Sequence, residues 1–312
     1  VSTLAELTGR AILGASRSSR LKTAVTRAPG TRSVVARFVA GEAEDDGVRV
    51  ARDLGRTGLR VSLDHLGEFT SDPAVVREAT QASVSMLRRL AAEGLAPIAE
   101  VSVKLTALGL DLDRSMVLDN AWEVVSAARQ AGTTVTCDME DSTRTDATLD
   151  VVRELRTEEP SVGAVLQAML RRTESDVRDL AYAGSRVRLC KGAYAELSSV
   201  AFASKAEVDA SYARCLGILM RGDGYPMVAT HDPRLVDLGE RLVKEHGRAA
   251  DTYEFQMLYG IRPEEQRALA GRGHTVRVYV PYGKDWYGYL MRRLAERPAN
   301  VAFFVRALAT RG

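Results

Sequence analysis

The α/β fold this sequence predicts is a closed (βα)8 barrel of the TIM type preceded by a helical arm, and three observations carry it. After Gly58, short β-branched runs alternate with longer segments of helical period. There are eight such runs, the number that closes a parallel barrel of this length. The first turn from strand to helix, Asp64-His65-Leu66-Gly67-Glu68, lacks the glycine-rich fingerprint of an open dinucleotide-binding sheet.

The runs are Leu59–Leu63, Ile98–Lys104, Thr134–Asp138, Val162–Gln167, Val187–Leu189, Met227–Thr230, Glu254–Met257 and Val276–Tyr279. Helices are expected between them over Pro73–Glu93, Ser115–Ala131, Asp146–Arg156, Thr173–Ala183, Ser198–Arg221, Pro233–His246 and Pro263–Arg272. Apolar residues recur there at three- and four-residue spacing, as in Leu235, Leu238 and Leu242. Asp72-Pro73 and Asp232-Pro233 each place an acidic cap before a first-turn proline. The division expected is residues 1–57 as the arm and 58–312 as the barrel. From Thr8 to Gly41 the arm is basic with no acid, a composition that imitates a transit peptide. We read it as a helical arm with a solvated basic face; a second reading brings it to anionic lipid.

Composition excludes several classes. A net charge of +2 leaves no basic excess for nucleic acid. No apolar stretch is long enough to span a bilayer. Three distant cysteines (Cys137, Cys190, Cys215) form neither a disulfide framework nor a zinc spacing, and four histidines carry no metal motif, so no metal is expected and the cytoplasm is the default compartment. Cys137 and Cys190 read as buried packing residues.

Strand parity locates the site. Glu100, Ser102 and Lys104 share one face of the second strand, and Thr136 with Asp138, Arg186 with Arg188, Glu254 with Gln256 and Arg277 with Tyr279 do the same on theirs. The apolar parity must face the helices, so the polar parity faces into the barrel. Buried charge is costly unless paired or liganded. So many inward charges imply a paired polar network below and a ligand-binding mouth above. Barrel enzymes work at the C-terminal ends of their strands, which makes Lys104, Asp138, Gln167, Arg188, His231, Gln256 and Tyr279 the candidates.

Beyond the last strand, Tyr289, Arg292, Arg293 and Glu296 follow the i, i+3, i+4, i+7 pattern and share one helix face. Two arginines can hold a carboxylate and an acid one turn on can meet an amine, which together describe an amino-acid clamp. The same pattern also describes a solvated helix face. Other residues carry two readings. Lys191 before Gly192 is a phosphate or flavin contact, or a lysine that merely ends a strand. Lys104, set near arginines that disfavour its charge, is a candidate Schiff-base nucleophile of the aldolase kind. Asp138 with Glu140 and Asp141 is a metal site or, more ordinarily, a solvated loop. His231 is a ligand contact or a structural histidine, and Trp286 is helix packing or a lid.

The ordered series Val-Ser-Val-Lys-Leu-Thr (101–106), Cys-Asp-Met-Glu (137–140), Val-Leu-Gln-Ala (165–168), Val-Arg-Leu-Cys-Lys-Gly-Ala-Tyr (187–194), Ala-Thr-His-Asp (229–232), Tyr-Glu-Phe-Gln-Met-Leu-Tyr-Gly (253–260) and Tyr-Leu-Met-Arg-Arg-Leu-Ala-Glu (289–296) resembles the proline dehydrogenase family in its monofunctional form. The resemblance implies a distorted α/β barrel that holds FAD and oxidises L-proline to Δ1-pyrroline-5-carboxylate. It assigns Lys104, Arg292 and Arg293 to the proline carboxylate, Glu296 to the ring nitrogen, and Tyr279 and Tyr289 to the ring. Arg188 is placed near the reactive flavin nitrogen, with Asp138 as the other active-site residue. Gln167, Lys191, Gly192, Ala193, Tyr194, Thr230, His231 and Gln256 are assigned to FAD. The resemblance also implies a quinone electron acceptor, and hence peripheral contact with the inner face of a membrane. Two readings compete with it, a lysine-dependent aldolase and a non-catalytic amino-acid-binding barrel.

Overall fold

The computed structural model of the chain describes the backbone from residue 31 to residue 296 and the side chains from 35 to 293. Most of the basic arm therefore lies outside the described residues. Eight parallel strands close on themselves in chain order: β1 (Arg60–His65), β2 (Ala99–Lys104), β3 (Val135–Asp138), β4 (Gly163–Gln167), β5 (Arg186–Cys190), β6 (Tyr225–Ala229), β7 (Glu254–Leu258) and β8 (Val276–Tyr282). Each of the eight sequence runs forms a strand. Among the described residues two helices precede the barrel, α1 (Thr31–Phe38) and α2 (Glu44–Gly55). Between strands lie α3 (Pro73–Ala92), α4 (Arg114–Ala131), α5 (Thr145–Arg156), α6 (Thr173–Leu180), α7 (Lys205–Arg221), α8 (Pro233–Glu245) and α9 (Pro263–Gly271). After β8 comes α10 (Trp286–Glu296). The closing pair runs in register from Arg60 opposite Arg277 to His65 opposite Tyr282.

The helix starts follow local chemistry. Asp72 accepts from the Ala74 N–H and Asp232 from the Arg234 N–H, each ahead of a first-turn proline. One start differs from expectation. α7 begins at Lys205 rather than Ser198, because Ser204 and Glu207 form a reciprocal capping box. The segment before it is loop instead, tied to the β4–α6 connection by the Arg171 N–H on the Val200 carbonyl (2.9 Å) and the Phe202 N–H on the Met169 carbonyl (2.8 Å).

Between strands and helices lies one apolar shell, with Val61, Leu63, Val101, Val103, Val135, Val276, Val278 and Val280 on its strand side. The eighth wall position is filled from the other end of the chain. α2 lies against β1 and β8, and its Val48, Val50 and Ala51 join that shell. α10 instead packs on α1, in a separate cluster of Phe38, Val39, Leu66, Trp286, Tyr287, Tyr289, Leu290 and Met291. Trp286 donates its indole N–H to Glu42 at 3.0 Å, so it is a packing residue of this cluster and not a lid.

Inside the barrel the polar parity is realised as a paired layer. Arg186 meets Glu100 at 2.8 Å and Arg277 meets Glu254 at 2.7 Å, while Ser62 and Thr136 donate to Glu100. Burial pushes the Glu100 carboxyl up, but Arg277, Arg186 and Arg188 outweigh it and bring the pKa down to about 2.

α1 approaches the barrel closely at Gly260. This glycine has φ +73°, and a Cβ there would come within 1.7 Å of the Arg37 carbonyl oxygen. Gly247, at φ +61°, has nothing within 4 Å of its Cβ position. Gly247→Ala should therefore cost only the left-handed strain, about 1–2 kcal/mol. Gly260→Ala adds a backbone clash and should cost at least twice as much, read as the difference in melting temperature between the two variants.

Candidate active site

A cavity of about 610 Å³ opens at the C-terminal ends of the strands, beneath α10. Its floor is built around Arg188, which is buried on β5. The Arg188 guanidinium donates to Asp138 Oδ1 (2.5 Å), Ser102 Oγ (3.0 Å) and Gln256 Oε1 (2.5 Å). The Tyr279 hydroxyl donates to the other Asp138 oxygen at 2.6 Å, and Arg188 lies 5.2 Å from the centre of its ring. Burial and the neighbouring Asp138 push the Tyr279 hydroxyl well above its ordinary range, so it stays a neutral donor. Burial alone would lower the Arg188 pKa, but Asp138 and Glu100 overcome it and keep the charge fixed.

Lys104 corrects an expectation. Its ammonium straddles both oxygens of Asp64, at 2.7 and 2.8 Å, and lies 3.8 Å from Asp138. Burial would lower its pKa, yet the carboxylates of Asp64, Asp138 and Glu68 outweigh burial and raise it. The arginines do not disfavour its charge, and a lysine held this firmly as ammonium is no Schiff-base nucleophile.

The wall over the floor comes from α10. Arg292 forks onto Glu68 of the β1–α3 loop, at 2.5 and 3.3 Å, with Tyr194 beneath its guanidinium at 5.8 Å. Arg293 is buried and lies over the Tyr289 ring at 5.1 Å. Both arginines and Tyr289 line the cavity. Glu296 ends α10, and its side chain lies outside the described residues.

The opposite rim is a charged cluster. Lys191 meets Asp209 at 2.5 Å and Asp232 at 3.0 Å, and the same two acids receive Lys205 and Arg234. Three cations on two acids leave a surplus of positive charge at the cavity edge. Beside it Gly192 has φ +107°, and a Cβ there would lie 2.4 Å from the Met169 sulfur, so this approach requires glycine. Gly192, Ala193 and Tyr194 border the cavity, as do Gln167, Thr230, His231 and Gln256. Gln167 donates its amide to the Glu140 carbonyl at 2.7 Å, and the Leu258 N–H donates to His231 Nε2 at 2.9 Å.

All the candidate residues except Glu296 thus border one cavity. Two minor readings fail. Glu140 is fully buried and bonded to Thr106, not part of a solvated loop. Cys190 is half-buried and borders the cavity, and burial lifts its thiol to about 11. Among the described residues no group of side chains is placed to hold a metal ion. Asp64, Glu68, Asp209, Lys205 and Arg234 escaped sequence reasoning. Extending the first strand by one residue would have put Asp64 on the inward parity of Ser62, and Lys205 with Asp209 is an i, i+4 pair. Glu68 sits on a loop and gives no signal.

The charged floor and the arginine-bearing helix thus lie at the mouth of an eight-stranded barrel, the face at which barrel enzymes carry their active sites. The sequence model of the family described as "Proline dehydrogenase" matches residues 48–306, and the chain belongs to that family. It is 41% identical over 279 residues to "Proline dehydrogenase 2" of Bacillus subtilis, covering 89% of this chain and 91% of that protein. It is also 41% identical to "Proline dehydrogenase" of Deinococcus radiodurans, over 87% of this chain and 89% of that one. Among solved structures, proline utilization A of Bdellovibrio bacteriovorus superposes with a TM-score of 0.78 at 25% identity, over 85% of this chain and 32% of that longer protein.

Breaking the Lys104–Asp64 pair should expose its energetics. Asp64→Asn strands a buried ammonium and should cost roughly 3–5 kcal/mol in urea unfolding. Adding Lys104→Met should recover most of that loss. A double variant as unstable as the single one would contradict the pairing.

Proposed function

We propose that the chain oxidises L-proline to Δ1-pyrroline-5-carboxylate in this cavity, with FAD as the hydride acceptor. Membership of the family supports the reaction. The observation that carries the residue roles is that Lys104 of β2 and Arg292 and Arg293 of α10 border one cavity. Their charges suit a single carboxylate, each charge-assisted hydrogen bond contributing about 1.5–3 kcal/mol.

The donor set also fits the cofactor. The cavity volume of about 610 Å³ falls among those of cofactor pockets, roughly 300–1,000 Å³. Lys191, Lys205 and Arg234 give the rim a charge that suits a diphosphate, and the approach at Gly192 exposes backbone beside it. Gln167, Thr230, His231 and Gln256 offer hydrogen-bonding groups along the wall. When bound, FAD supplies the two-electron chemistry. Everything else falls to the chain. Lys104, Arg292 and Arg293 hold the substrate carboxylate, Tyr279 and Tyr289 flank the ring, and Glu296 is assigned the ring nitrogen. So oriented, the δ-carbon gives up hydride as the nitrogen lone pair forms the C=N bond. Arg188, pinned by Asp138 and Gln256, keeps a fixed positive charge on the floor, where negative charge develops.

For the onward electron acceptor we assign a quinone met at the inner face of a membrane. The distribution of exposed apolar side chains supports it. Of the six large exposed ones among the described residues, Phe69, Val75, Leu112, Leu197 and Val200 belong to the mouth end of the barrel; Tyr182 alone lies on a connection at the other end. Arg144 links the loops that carry two of them: it stacks 5.0 Å over Phe69 and pairs with Asp111, next to Leu112 in sequence. No described helix is long and apolar enough to cross a membrane, so contact would be peripheral.

Two outcomes are expected. Arg292→Met should raise the KM for proline by roughly 10- to 100-fold with a far smaller fall in kcat; an unchanged KM would refute the clamp. Leu197→Asp with Val200→Asp should slow turnover with a quinone embedded in vesicles while sparing turnover with a soluble dye. Equal rates with the vesicle-bound quinone before and after substitution would place membrane contact elsewhere.

A further inference from the structure

We infer that Glu140 is a positioning residue for the substrate mouth: acting through Thr106, it fixes the β1–α3 loop that carries Glu68 and so sets the position of Arg292. The inference rests on the reading of Arg292 as a substrate-carboxylate ligand, and its test is built to separate the two.

The chain of contacts is short and continuous. Glu140 and Thr106 are both fully buried. The Glu140 carboxylate accepts twice from Thr106, from the N–H at 3.1 Å and from the hydroxyl at 2.5 Å. The Thr106 oxygen in turn accepts the Phe69 N–H at 3.0 Å. Phe69 has φ +55°, a left-handed backbone that costs a bulky residue free energy and persists only where its surroundings impose it. The preceding residue is Glu68, forked onto Arg292. From the other end of the same residue, the Glu140 carbonyl oxygen accepts the Gln167 amide, which borders the cavity. One buried residue thus anchors the loop after β1, which holds Arg292, and Gln167 of β4 on the cavity wall.

The charge state fits this role. Burial raises the Glu140 pKa to about 7, against the lowering effect of Thr106 and of Lys104, while Glu68 adds to the rise. Among the described residues no cation lies within ion-pair distance of it. An apolar side chain would be cheaper to bury there. What an apolar residue could not do is grip the Thr106 N–H and hydroxyl together. Glutamine could: its oxygen accepts the N–H and its amide donates to the Thr106 oxygen, which still accepts from Phe69.

The test compares Glu140→Ala, Thr106→Val and Glu140→Gln by steady-state oxidation of proline with a soluble dye, by melting temperature, and by deuterium exchange over residues 66–72. A loosened Glu68 leaves Arg292 to be ordered at the moment of binding, so KM should rise roughly three- to tenfold in Glu140→Ala and in Thr106→Val. Turnover number should hold within about twofold, as should both constants in Glu140→Gln. Exchange over 66–72 should speed up in the first two variants only. A purely structural Glu140 would lower the melting temperature and leave KM in place, which overturns the inference. So does a rise in KM as large in Glu140→Gln as in Glu140→Ala. Should Glu140→Ala fail to fold, Thr106→Val decides alone. Arg292→Met is measured alongside: if it leaves KM unmoved, the clamp reading fails. Exchange over 66–72 then judges the anchoring by itself, with faster exchange in Thr106→Val upholding it and unchanged exchange overturning it.

Discussion

Everything in this molecule depends on how the barrel neutralises the charges that point into it. Most barrels fill that space with branched aliphatic side chains in layers. Here a lower layer of Glu100, Glu254, Arg186 and Arg277 is paired within itself, and an upper layer of Asp138, Arg188, Lys104 and Asp64 is paired above it. Glu100 lies 3.8 Å from both Arg188 and Arg277, and so couples one layer to the other. Each charge is affordable only because its partners occupy neighbouring or facing strands in register. The floor of the site is therefore tied into the sheet at each of these charges, which suits the part that orientation and fixed charge play in the proposed reaction.

The second constraint concerns the helix after the last strand. A regular barrel would lay it against the wall between β8 and β1. In this chain α2 takes that place with Val48, Val50 and Ala51, which frees α10 to sit over the opening on a cluster of its own. Only that displacement lets Tyr289, Arg292 and Arg293 border the cavity. The proposed site thus rests on an exchange of positions between α2 and α10.

Much of this was legible in the residues. Short β-branched runs alternating with helical segments marked all eight strands, and strand parity marked the inward residues of five of them, because one face of each strand must meet the helices. The Asp-Pro pairs gave two helix starts. The failures at Lys104 and Glu140 share one cause, that pairing between elements is invisible in a single strand. Lys104 was expected to lose charge to nearby arginines, yet Asp64, from the adjacent strand, holds it as ammonium. Glu140 was read as loop because its partner, Thr106, sits beyond the end of another strand. The start of α7 was misplaced because apolar spacing ran on past the Ser204–Glu207 box that decides the boundary. Glu68 reaches Arg292 from a loop whose backbone no periodicity describes.

The use of α2 as a wall element bears on how the chain can fold. The strand it leads into pairs with β8, and the Arg277 guanidinium reaches the Val61 carbonyl across 216 residues of sequence. During synthesis α2 and β1 emerge before every other strand, and must wait for β2 to β7 before β8 exists. Until then one strand edge and one helix face stay open to solvent or to a chaperone, and closure of that seam is a late, slow event of high contact order. Any segment able to mimic β8 in the interval would compete for the same edge.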